Sequence, residues 1–167
     1  MTILLRIGRR RTSWESADVV TIVETEFRRR DGEIDLRPSV YEVADELPTI
    51  VRTHAEHCAA AGMHPPRDGC RHVNLAIDGQ MVRESPGNDY FEHTNSCHRE
   101  LVFESEGAMC TFLSEIVKDA STRRRRTHGS DIRSYAKECL AQEDPEWVRF
   151  CASHPMGGHW ECFRDPR

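Results

Sequence analysis

Two Asp-Gly dipeptides, Asp31-Gly32 and Asp78-Gly79, constrain the fold more than any other feature of the chain. Asp-Gly is a strong two-residue hairpin signal, because its glycine reaches the positive φ that such turns require. Folding at the first dipeptide places Arg30 opposite Glu33, Arg28 opposite Asp35, Glu26 opposite Arg37, Phe27 opposite Leu36 and Val23 opposite Val40. Cross-strand pairs of these kinds stabilise a sheet by roughly 0.2–1 kcal/mol each. Val19, Ile22, Val23 and Phe27 also fall at helical spacing, but charge and apolar pairs coincide in one register, which predicts an antiparallel hairpin of 19–30 with 33–43. The second dipeptide sets Ala76 opposite Met81 and Leu75 opposite Val82, predicting a hairpin of 72–77 with 80–84.

The remaining pattern is strand and helix in alternation. Thr2 to Ile7 is an apolar run closed by Gly8, consistent with a buried strand, and residues 100–103 read as a second short strand. Leu47, Ile50, Val51, His54, Cys58 and Ala61 form one stripe of a helix over 45–61, with Pro48 in its first turn and Gly62 as its stop. Met109, Phe112, Leu113, Ile116, Val117 and Ala120 do the same for 106–120, with Ser105 placed to cap it. Residues 131–142 present Ile132, Tyr135, Ala136, Cys139 and Leu140 on one side, and Asp144-Pro145 opens a short helix carrying Trp147, Val148, Phe150 and Cys151. The fold class expected is α+β: antiparallel hairpins packed with two amphipathic helices, plus a helical C-terminal extension. The divisions expected are a body over 1–122, an Arg-rich linker or loop over 123–130, and a helical segment over 131–167.

Length and composition narrow the class. At 167 residues the chain can bury roughly 70% of its unfolded surface in one core. No apolar run approaches the roughly 18 to 20 residues of a membrane span, and residues 1–8, broken by Arg6, are too short for a secretory segment. Seven cysteines, an odd number, without such a segment point to thiols or metal ligands in a reducing cytoplasm. Charge is unevenly spread: seven basic residues face four acidic ones before residue 31, seven face seventeen from 31 to 122, and nine face seven thereafter. An acidic middle repels phosphate backbones, so nucleic acid is expected only through Arg123, Arg124, Arg125 and Arg126.

Three constellations could carry chemistry. Cys151-x2-His154-x4-His159-x2-Cys162 sets two soft-ligand pairs about the Pro155-Met156-Gly157-Gly158 turn, a spacing able to converge on one tetrahedral zinc ion. His54-Ala55-Glu56 resembles the His-x-Glu triplet of zinc nucleoside and nucleobase deaminases, in which the histidine binds zinc and the glutamate shuttles protons. That resemblance implies a Pro-Cys-x-x-Cys opening the next helix; Cys110 matches its second cysteine, whereas Gly107 stands at the first and the proline is absent. Loop residues His64, Cys70, His72, His93, Cys97 and His98 include pairs from which a Cys-His nucleophile could be built. No phosphate-binding glycine loop, nucleophile elbow or dinucleotide fingerprint occurs. Trp147, Phe150, Trp160 and Phe163 are residue types that anchor protein interfaces. The function expected is a non-catalytic accessory or protein-interaction module with another protein as partner, and zinc at the C-terminal knuckle as its one candidate cofactor. The alternative is a zinc-dependent hydrolase or deaminase-like enzyme using His54, Glu56 and Cys110.

Overall fold

The computed structural model describes residues 2–8, 17–42, 47–66, 70–77, 80–84, 88–92, 98–118, 124–127 and 129–164. In chain order its strands are β1 (Thr2–Gly8), β2 (Ser39–Glu42), β3 (Cys70–Ile77), β4 (Val82–Glu84), β5 (His98–Leu101) and β6 (Arg124–Thr127). Its helices are α1 (Val19–Ile22), which runs into a π-turn (Val23–Phe27), α2 (Leu47–Ala60), α3 (Glu106–Lys118), α4 (Gly129–Ala141), α5 (Pro145–Ser153) and α6 (Gly157–Glu161). The class is α+β. Two compact units emerge: Met1–Val43, Cys70–Ser85 and His98–Arg126 form the first, and Ala44–Gly69, Pro86–Cys97 and Thr127–Arg167 the second. The expected division was linear along the chain. Each unit instead draws on three segments, and α2 belongs with the C-terminal helices.

The first unit is built on a six-stranded sheet in the order β4-β5-β2-β1-β3-β6. β1 lies between β2 and β3, antiparallel to both, with Leu4 beside Glu42 on one side and Leu75 on the other. Alternation along the strands then puts Arg6, Val40, Leu75 and Leu101 on one face. Val40, Leu75 and Leu101 are buried there with Ile22, Val23 and Phe27 of the first helical segment and Met109, Leu113 and Ile116 of α3. Each such aliphatic side chain contributes roughly 1.5–3 kcal/mol when fully buried. α3 begins where Ser105 was placed to cap it, the Ala108 N–H donating to Ser105 Oγ at 3.1 Å.

Neither expected hairpin forms as such. The turn at Asp31-Gly32 is present, with Gly32 at φ +88° and the Arg29 N–H donating to the Glu33 carbonyl at 2.7 Å. Pairing beyond it is confined to a single bridge, Arg28 with Ile34. Residues 19–27 are helical because local interactions outbid the cross-strand ones. Asp18 caps the helix by accepting from the Thr21 N–H at 2.8 Å, and Arg28 pairs with Glu24 one turn back instead of with Asp35. The helical spacing of Ile22, Val23 and Phe27 delivers all three to the core. Asp78-Gly79 lies outside the described residues, and the strands on either side of it separate. β3 pairs with β1 along the whole of that seven-residue apolar strand, while β4 pairs with β5 at the other end of the sheet. A long ladder exposes fewer unpaired backbone groups than a three-residue hairpin arm does. Residues 124–127, expected as linker, are the edge strand β6.

The second unit has an aromatic core. Phe91 packs against Trp147 with ring centres 4.8 Å apart, Trp147 against Trp160 at 5.3 Å, and Phe91 against Phe150 at 5.4 Å. α2 adds Ala55, Cys58 and Ala59, and α4 adds Ile132, Ala136 and Leu140 on the face that its periodicity predicts. α5 starts as expected, Asp144 accepting from the Glu146 N–H at 3.0 Å ahead of Pro145. Trp147, Phe150 and Trp160, expected as interface anchors, are buried in this core. Phe163 alone of the four is only partly buried.

Candidate functional site

The second unit holds two assemblies with chemical character. The first is a buried polar set between α2 and α4. Glu56, only 1% exposed, accepts from the Tyr135 hydroxyl at 3.0 Å and from Arg52 Nε at 3.3 Å. Burial raises the Tyr135 phenol well above its ordinary range, with its hydrogen bond to Cys139 adding to the shift, and burial also raises the Cys139 thiol. Both groups are thereby kept protonated, and the phenol serves as a fixed donor to the carboxylate. This arrangement satisfies a buried charge.

The resemblance to the deaminase triplet meets that arrangement directly. His54 lies one turn before Cys58, with its Nε2 at 3.4 Å from the Cys58 sulfur, and Glu56 is enclosed by Arg52 and Tyr135. Cys110, the third member of the set, stands on α3 in the other unit and is packed against the aliphatic core there.

The knuckle residues divide into two pairs with different surroundings. Cys151 is buried, and burial with the nearby Glu161 charge pushes its thiol up to about 11. The His154 ring stacks on Phe150 at 4.8 Å, meets Tyr90 edge-on at 5.5 Å, and accepts the Met156 N–H on Nδ1 at 3.0 Å. His159 instead meets His64, ring centres 4.4 Å apart, and the exposed Cys162 thiol donates to the His159 carbonyl at 3.0 Å. The two glycines between the pairs differ in their surroundings. A Cβ on Gly157 would sit 2.2 Å from the Cys151 carbonyl oxygen, so that glycine brings two backbones into contact, whereas Gly158 faces open space. Among the described residues, no three His, Cys, Asp or Glu side chains are placed to hold one metal ion.

The second assembly is an open cleft of about 680 Å3, the size range of small-ligand sites. His64 and Pro65 line it from the stretch after α2, Arg133 from α4, and Gly158, His159, Cys162 and Phe163 from α6 and just beyond. Trp160 ties two of these segments together, its indole N–H donating to the Met63 carbonyl at 3.0 Å. Arg133 Nη1 donates to the Pro66 carbonyl at 2.8 Å, which fixes the guanidinium at the cleft wall. Sequence reasoning singled out His64, Gly158, His159, Cys162 and Phe163 for other roles, and it missed Pro65 and Arg133. Of the other expected residues, Arg124, Arg125, Arg126 and Cys70 lie in strands β6 and β3, and Arg123, His93 and Cys97 fall outside the described residues.

Comparison of the chain with known protein families, with curated proteins and with solved structures finds no match.

Proposed function

We propose that the protein is a non-catalytic accessory module that binds another protein, and that the cleft of the second unit receives part of that partner. The observation that carries this reading is the cleft itself: it is open, and it combines exposed imidazoles, an anchored guanidinium and an aromatic edge. The carboxylate that a proton-shuttling reading needs is engaged by Tyr135 and Arg52 beneath the surface. Five described cysteines are free thiols, which fits work in a reducing cytoplasm. Among the described residues no helix is long and apolar enough to cross a membrane.

Gly158→Trp tests the reading, because a Cβ there meets nothing within 4 Å and the position lines the cleft, so the indole should fill the cleft and not the core. Wild-type protein should capture a partner that cross-links to residues 158–163, and the variant, melting at the same temperature, should lose it. Capture of the same proteins by both chains would overturn the assignment of the cleft.

A further inference from the structure

We infer that the cleft selects a ligand group carrying an oxyanion beside an apolar or aromatic portion, so that the partner enters it with an acidic or phosphorylated side chain next to a hydrophobic one. The inference rests on the docking role just proposed and names the chemistry of what docks. Three positions in the described lining are basic or can carry an N–H donor, Arg133, His64 and His159, and among the described residues no carboxylate lines the cleft. A neutral imidazole still presents one N–H donor, and a guanidinium presents five in a planar fork. Arg133 spends one arm on the Pro66 carbonyl and is held by it, which leaves the rest of the fork for a second acceptor at reduced entropic cost. The His64 and His159 rings hold each other edge to face, so their orientation too is set before any ligand arrives.

Phe163 and Pro65 supply the apolar wall, and Gly158 leaves room between the two kinds of surface. The volume far exceeds what an isolated phosphate or carboxylate needs, so the anion occupies one end and the attached apolar group the other. A metal ion fits the lining less well, because His64, His159 and Cys162 do not converge on one point.

The test uses the full chain labelled with carbon-13 at histidine, titrated at constant ionic strength with phenyl phosphate, phenylacetate, inorganic phosphate and benzyl alcohol. The His64 and His159 resonances, identified by His64→Gln and His159→Gln, should move with both aromatic anions. Inorganic phosphate should bind at least tenfold more weakly than phenyl phosphate. Arg133→Gln should weaken phenyl phosphate at least tenfold, and Gly158→Trp, which leaves the Arg133 anchor intact, should block it as well. Phenyl phosphate binding more tightly than phenylacetate assigns a phosphorylated side chain, and the reverse order assigns an acidic one. Benzyl alcohol binding as tightly as the anions would overturn the anion preference while leaving the docking role standing. Failure of every probe to move either histidine would overturn the inference, and the Gly158→Trp capture experiment would then decide the docking role separately.

Discussion

The two units solve the same problem, joining three separated segments, by different means. In the first, the backbone does the joining: β1 lies between β2 and β3, and the core they cover is mainly aliphatic. Three of its ion pairs, Glu24 with Arg28, Glu42 with Arg99, and Arg83 with Glu100, each keep at least one partner well exposed, while Glu26 is buried. In the second unit side chains do the joining. Trp160 reaches the Met63 carbonyl across 97 residues of sequence, Tyr135 reaches Glu56 across 79, and Arg149 donates to the Tyr90 carbonyl across 59. Where no ladder ties the segments, single aromatic and polar side chains carry the connection, so single substitutions should matter more there.

The largest effect expected is that of Trp147→Ala. The indole is buried against Phe91, Phe150 and Trp160, and removing such a side chain typically costs about 3–5 kcal/mol. Hydrogen exchange should show α4, α5 and α6 losing protection while β1 and β3 keep theirs. Equal loss in both units would break the comparison.

Next in size is Tyr135→Phe, which removes the hydroxyl donor from the buried Glu56 carboxylate. A hydrogen bond to a charged group is worth about 1.5–3 kcal/mol, and denaturant unfolding should register a loss in that range. Glu24→Gln breaks an ion pair in the first unit whose side chains are 43% and 37% exposed, and such solvent-screened pairs contribute little, so its effect should be the smaller. Comparable losses from the two would mean that the polar contacts of the second unit are no more structural than surface charge in the first.

The same contrast governs what could be read from the sequence. α2, α3, α4 and α5 were legible because a 3.6-residue period and a nearby cap are local signals, as with Ser105 before α3 and Asp144 before α5. The first hairpin was misread because the charges that pair across a strand also pair along a helix. Arg28 has Glu24 and Asp35 within reach of the two alternatives, and helix formation engages Glu24 and buries Ile22, Val23 and Phe27 together. Strand partners were not legible, since nothing local tells β3 that β1 is a longer match than β4. The cleft was legible only in part. His159, Cys162 and Phe163 come from one segment and stood out, but Arg133 becomes part of a site only when α4 meets the stretch around Pro66.

The smallest effect expected separates the two halves of the C-terminal knuckle. If no metal ion joins the buried Cys151 to the exposed Cys162, iodoacetamide at pH 8 should alkylate Cys162 at once and Cys151 only when the unit unfolds. Cys162→Ser should then leave the stability within about 0.5 kcal/mol, as surface substitutions usually do. Cys151 should reveal itself through pH instead. Its thiol is raised from the ordinary 9.0 to about 11, so the folded state holds that proton more tightly than the unfolded chain does. The resulting stabilisation is complete below about pH 9 and is lost as pH rises toward 11. Cys151→Ala should flatten that alkaline decline, and Cys162→Ser should change it far less, because burial and the Glu161 charge raise the Cys151 thiol more than Cys162 does. Cys162 that resists alkylation until a chelator is added, together with a tail loosened by Cys162→Ser, would instead reunite the four residues around a metal ion and make the second unit's connections partly ionic.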